Sequence, residues 1–170
     1  MIDQTLLRAV RHNIWANLEL LAFCAKLPAE QLAWTTAGTY GTLHRTLHHI
    51  VGAEHGYLYA LTGERPPIET ERGGRAMTSD WQAPIDELIA RARSNGERIE
   101  RVLDAGFDPA RMIRRPRGNE AAAAIIAAQF IHHGSDHRAH IGTILGANGV
   151  EPPSLDVWAY GHSTGEVTEP

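Results

Sequence analysis

The strongest constraint on the fold of this chain is a row of residues, Ile126, Phe130, His133, His137, His140, Ile144 and Ala147, that recur in alternating steps of four and three. That spacing follows one side of an α-helix and is the seam that faces the centre of a helical bundle. Three members of the row are histidines, and the chain contains ten in all. Imidazole is the commonest protein ligand for borderline metals and the usual proton shuttle. A histidine row on a bundle seam therefore ties the question of fold to the question of function.

Helical periodicity extends through most of the sequence. From Asp3 to about Lys26, Leu7, Val10, Ile14, Leu18 and Leu21 repeat at three and four, with Asp3 as N-cap and Pro28 as the stop. A second helix is predicted from about Thr42 to Leu61, entered through Gly38 and Gly41 and ended by Thr62-Gly63. Residues 62–79 carry two prolines and three glycines without periodicity, a long irregular connection. Such a length suits a crossover between two parallel helices, because antiparallel neighbours need only a few residues.

A third helix is then expected over Asp80 to Leu103, with Ser79 as N-cap and Ile85, Leu88, Ile89, Ile99 and Leu103 on its apolar side. Pro109 and Pro116 oppose helix between Phe107 and Gly118, where Arg111, Arg114, Arg115 and Arg117 crowd together. This stretch reads as an extended, solvated excursion, with a basic patch for an anionic substrate as the alternative. Asn119 would cap a fourth helix running to about Ala147, opened by the alanine-rich run 121–128 and followed by a tail from Val150. The expected fold is all-α, a four-helix bundle with a long crossover between helices 2 and 3, in a single domain spanning residues 1–170.

Composition narrows the partners. The formal net charge is -4 and hydrophobic residues make up 43% of the chain. No global positive field exists to hold a phosphate backbone, so nucleic acid is not expected, and no apolar stretch has the length of a membrane span. The start, Met1-Ile2-Asp3-Gln4, lacks a basic, then apolar leader, and a cytoplasmic location is the expectation. Cys24 is the only cysteine, which removes multi-thiolate metal sites and reads as a small core residue.

His133 and His137 lie one turn apart, so their rings project side by side and can share one metal ion. The second helix has a matching seam at Thr42, Thr46, His49, Ala53, Gly56 and Ala60, all small apart from His49. One histidine facing an i, i+4 pair supplies three nitrogens and leaves coordination open, as in catalytic zinc sites. Periodicity leaves alternatives. His132, Asp136 and His140 form another row, and His44, His48 and His55 share another face. Leu43, Leu47, Val51 and Leu58 also mark an apolar face pointing away from His49.

The stretches LHHIVGAEHGYLYAL, HHGSDHRAHIGTILGANG and PPSLDVWAYG, with His12-Asn13-Ile14-Trp15-Ala16-Asn17 near the start, resemble the DinB family of metal-binding helical proteins. The resemblance covers the whole chain in order. It implies an up-down-down-up four-helix bundle, often dimeric, with a divalent metal held by three histidines. The family's first ligand motif falls on His49-Ile50-Val51-Gly52-Ala53-Glu54, and the second and third ligands fall on His133 and His137, the latter in the family's H-R-x-Q context. His140 stands here where glutamine is common, and reads as a partner of a ligand or as a packed or solvated imidazole.

Glu54 and Asp136 are the acidic residues nearest the ligands in sequence, with surface or helix-end electrostatics as the plainer reading. Arg138 reads as a member of a surface ion pair. Trp158 and Tyr160 could fold over the metal as a lid or cover apolar bundle surface, and Tyr57 and Tyr59 read as core or dimer contacts. The functional expectation is a metal-dependent enzyme acting on a small molecule, a low-molecular-weight thiol transferase or a hydrolase. His49, His133 and His137 would hold zinc or nickel, or alternatively iron or manganese, with His140 and Glu54 as candidates for proton transfer and a homodimer as the assembly. The rival expectations are a non-catalytic metal- or ligand-binding stress-response protein and a plain structural dimer.

Overall fold

The computed structural model describes residues 3–64, 82–115 and 118–168. Helix α1 spans Gln4–Cys24, and the Asp3 carboxylate accepts from the Leu6 N–H at its start. A short 3-10 turn, Ala29–Ala33, leads to α2, Leu43–Thr62, where Thr42 Oγ1 accepts from the Arg45 N–H and Gly63 closes the helix at φ 75°. Helices α3, Ile85–Ala105, and α4, Ala123–Ala147, complete the bundle, and α5, Val157–Thr164, forms within the tail.

Two helix starts differ from expectation. Residues 82–84 are not helical and α3 begins at Ile85, not Asp80, while Ser79 and residues 65–81 of the crossover lie outside the described residues. Pro84 gives the reason: inside a helix begun at Asp80 it would remove a hydrogen bond and clash with the preceding turn. Helix α4 begins at Ala123, not Asn119. Strand β1, Met112–Arg114, pairs antiparallel with β2, Glu120–Ala122, with Ile113 opposite Ala121 and buried. No side chain caps α4; the carbonyls of Arg111 and Pro109 accept from the Ala123 and Ala124 N–H groups instead.

Two apolar clusters fix the direction of each helix. One gathers Leu20 and Cys24 from the end of α1, Leu43 and Leu47 from the start of α2, Leu88 from the start of α3, and Ile144 from the end of α4. The other gathers Val10, Leu58, Leu61, Ile99, Leu103, Ile126 and Phe130 from the opposite halves. Helices α1 and α4 therefore run one way and α2 and α3 the other, the up-down-down-up order. Helix α2 packs on α4 and α3, and α1 on the same two. Burial pushes the Cys24 thiol up to about 12, so it is a core residue and not a nucleophile.

Between the clusters lies a polar layer to which every bundle helix contributes. Asn13 and Asn17 of α1 each donate to Glu54 Oε1 of α2, at 2.9 and 2.7 Å. Arg138 of α4 donates through Nη1 to the Oδ1 atoms of the same two asparagines, at 2.7 and 2.6 Å. Asn95 of α3 donates to the Val51 carbonyl. All five side chains are buried. Because arginine can only donate, it orients both amides so that their NH₂ groups meet the carboxylate. Glu54 and Arg138 are thus interior residues, a correction to their reading as surface charges. Burial pushes the Glu54 carboxyl up to about 7, opposed by Asn13 and by the Arg138 charge.

Gly134 makes room for this layer, since a Cβ there would run into Asn13 Oδ1 and the Arg138 guanidinium. We expect Gly134→Ala to destabilise the protein by about 2–4 kcal/mol through overpacking and loss of buried hydrogen bonds. In thermal unfolding the midpoint should fall by roughly 5–15 °C. Gly142→Ala, where a Cβ meets nothing within 4 Å, is the control and should be neutral or stabilising. Equal melting of both variants would mean that the layer is not packed this tightly.

Candidate metal centre

Antiparallel packing of α2 on α4 brings one ring from α2 against a pair from α4. The ligand-capable atoms of His49, His133 and His137 all lie within 4.8 Å of one another, the one group of three or more His, Cys, Asp or Glu residues so arranged among the described residues. Ring centroids are 4.8 Å apart for His49 and His133, 4.8 Å for His49 and His137, and 4.4 Å for the α4 pair. His133 Nε2 and His49 Nε2 approach to 3.0 Å. The rival sets are not assembled. His132 and Asp136 are exposed, and the His44 ring donates from Nε2 to the Ala83 carbonyl at 2.8 Å.

The protonation of these rings suits a ligand role. Burial, then the neighbouring His137 and His49, push His133 down to about 4. Burial, then His49 and His140, do the same to His137, and His49 is lowered by burial, His48 and Arg45. Neutral imidazole is the form that binds metal. The Nδ1 atoms of His133 and His137 are buried without a protein partner. Buried nitrogens left in this way are costly, so three converging neutral rings, two of them with an unsatisfied nitrogen, fit a divalent cation. The site is therefore a histidine-rich cluster capable of coordinating a divalent metal.

Two tyrosines frame the cluster, and the sequence reading did not place either of them there. Tyr40 stacks on His49 with centroids 4.1 Å apart and planes 15° apart, and meets His137 edge-on at 5.0 Å. The Arg45 guanidinium lies over the outer face of the arrangement, 5.5 Å from the Tyr40 centroid. Tyr57 meets the His133 ring edge-on at 5.7 Å. The signal available for Tyr40 was its position between Gly38 and Gly41 in the turn that enters the helix carrying His49. Beyond Tyr57 a groove of about 410 Å³ runs between α2, α4 and the hairpin, lined by Gly56, Ala60, Arg115, Ala121, Ile126 and Gln129 among others.

The remaining candidates separate. The His140 ring lies 5.2 Å from that of His137, with its Nδ1 buried and unpartnered, so it adjoins the cluster. Glu54 is committed to Asn13 and Asn17. Trp158 is 72% exposed, and Tyr160 packs on Trp15 and His12 of α1, so neither is a lid over the histidines.

A four-helix bundle carrying three histidines on facing helices defines the class, and the comparisons agree. The family model described as the DinB superfamily matches residues 11–141, and the chain belongs to that superfamily. The crystal structure of a DinB-like protein from Bacillus cereus ATCC 10987 superposes with a TM-score of 0.68 at 17% identity, covering 89% of this chain and 95% of that one, a likeness of fold. No curated protein matches the sequence. Among the described residues no helix is long and apolar enough to cross a membrane.

The lowered imidazoles set a pH dependence. A histidine whose folded pKa lies below its unfolded value of 6.5 takes up its proton more readily when unfolded. The metal-free fold therefore loses stability as pH falls through 6.5 towards about 4. Melting temperatures of the metal-free protein should decline more steeply over that window than those of His133→Ala/His137→Ala. Parallel pH profiles would show that these rings are not held neutral by the fold.

Proposed function

We propose that this protein is a metal-dependent enzyme acting on a small molecule, of the low-molecular-weight thiol transferase or hydrolase type, with His49, His133 and His137 holding one divalent ion. The observation that carries the reading is a cluster of three imidazoles without a carboxylate or thiolate in the group, a donor set that leaves coordination open. Zinc or nickel suits three nitrogens best, and iron or manganese are alternatives. The bound ion would supply Lewis acidity, lowering the pKa of a thiol or water brought to its open position.

The chain's own residues do the rest. Tyr40 braces His49 and His137, and Tyr57 both meets His133 and lines the groove, which offers a small substrate apolar walls and Arg115. His140 is the candidate for moving a proton, because its ring adjoins His137 while Glu54 is engaged elsewhere. Exposed Met112, Ile125 and Tyr59 give a homodimer apolar surface to cover.

Metal analysis of protein purified without chelator or histidine tag, and again after loading with zinc or nickel, tests the site first. About one ion per chain is expected for the wild type, with loss of at least tenfold in affinity for His133→Ala. Loaded wild type is then assayed for thiol transfer and hydrolysis. Turnover that His133→Ala lacks supports the enzyme. Stoichiometric metal without turnover points to a non-catalytic metal- or ligand-binding role in stress response. Failure to bind metal even after loading removes the enzyme and any metal-binding role.

A further inference from the structure

Of the three clustered histidines, His49 is the one held least by burial and by hydrogen bonds. His133 and His137 are buried on α4, whereas His49 is half-buried near the start of α2. Its Nε2 points inward, 3.0 Å from Nε2 of His133. A metal-ligating imidazole usually donates its other N–H to a carbonyl or carboxylate, which fixes the plane of the ring. Among the described residues no carbonyl or carboxylate plays that part for His49. Elsewhere in the molecule the rings of His12 and His44 are each tied to a backbone carbonyl, of Leu155 and Ala83, at 2.8 Å.

What His49 has instead is the Tyr40 ring, 4.1 Å away and within 15° of parallel. The turn that carries Tyr40 is itself fixed. Thr35 Oγ1 donates to the Gly41 carbonyl at 3.0 Å, Thr39 Oγ1 to the Thr36 carbonyl at 2.8 Å and the Leu43 N–H to the Trp34 carbonyl at 3.0 Å, while Gly38 turns the chain at φ 81°. Gly41 lets the Arg45 stem pass, since a Cβ there would lie 3.0 Å from Arg45 Cδ, and the guanidinium comes over the Tyr40 ring at 5.5 Å from its centroid. The Tyr40 hydroxyl makes no hydrogen bond among the described residues, so what the side chain brings to the cluster is its flat face.

We propose that Tyr40 is a positioning residue for the metal centre: by stacking, it takes the part of the missing hydrogen-bond acceptor, fixing the plane of His49 so that Nε2 is preset towards the α4 pair. The proposal rests on the three-histidine metal reading. Stacked rings favour one relative orientation, which opposes rotation of the imidazole about its Cβ–Cγ bond. A ligand already held in its bound orientation avoids the ordering cost when the ion arrives.

Wild type, Tyr40→Phe and Tyr40→Leu, all full-length, separate stacking from mere apolar cover. Tyr40 is 39% exposed, so the three should share one circular dichroism spectrum and one melting temperature. In metal-free protein the ring-proton resonances of His49, assigned by their loss in His49→Ala, should lie upfield in wild type and Tyr40→Phe, under an aromatic face, and move downfield in Tyr40→Leu. Zinc affinity, read by competition with a chromophoric chelator, should fall about tenfold or more in Tyr40→Leu and stay within about twofold of wild type in Tyr40→Phe. The visible spectrum of the cobalt-loaded protein should change in Tyr40→Leu alone. Equal zinc affinity in all three proteins overturns the proposal and leaves the metal centre standing, and so do His49 resonances that ignore loss of the ring. Equal weakening in Tyr40→Phe and Tyr40→Leu assigns the effect to the hydroxyl and overturns it too. A wild type that takes up no zinc overturns this proposal together with the metal reading.

Discussion

The rotation of α4 about its own axis decides almost everything else in this molecule, and Arg138 sets it. Successive residues on a helix point about 100° apart, so anchoring Arg138 towards α1 leaves His133 and His137 facing α2. The anchor is strong because it is buried and shared. Two asparagines on one turn of α1 take its N–H groups and pass their own to Glu54 on α2. Sliding α4 by one residue would break these bonds and leave a charge in the core, which typically costs about 3–5 kcal/mol. Apolar packing alone would not be so selective, since leucines and isoleucines tolerate neighbouring registers.

The same layer separates two electrostatic environments across α4. On the α2 side the histidines crowd together, and burial with mutual repulsion outweighs the opposing Asp136 charge and keeps them neutral. On the α1 side a permanent cation is held beside a carboxylate through intervening amides. Had Glu54 faced the histidines, it would have favoured their protonated forms and competed as a ligand. Its engagement with Asn13 and Asn17 keeps the cluster nitrogen-only, the donor set that makes an open coordination position conceivable.

Much of the bundle was legible because helical periodicity and capping chemistry are local. Asp3 and Thr42 cap as their residue types suggest, and the antiparallel seam of α2 and α4 follows from rows spaced at three and four. The starts of α3 and α4 were misjudged where a tertiary or covalent constraint outweighed an attractive cap. Pro84 cuts off the first turn expected for α3, and the Met112–Arg114 pairing takes the residues that would have opened α4. The polar layer was missed for a different reason. Asn13 and Asn17 fall on the buried row of α1 with Val10 and Cys24, where polar residues need partners, but those partners lie on other helices. An i, i+4 asparagine pair on a core seam was the available signal, together with a buried-side glutamate and arginine to complete it.

Placing a neutral cluster and a buried cation back to back also explains the small residues of α4. Gly134 and Gly142 lie on the same stretch of helix as the ligating histidines, yet they answer to opposite demands. At Gly134 the space is taken: Asn13 and the Arg138 guanidinium occupy the volume a side chain would need. At Gly142 the space is empty, and it opens onto the groove between α1, α4 and the tail. A helix selected only for stability would carry alanine at the second position, worth about 1 kcal/mol in helix propensity. Gly134 is thus a requirement of the buried layer, whereas nothing in the packing requires Gly142.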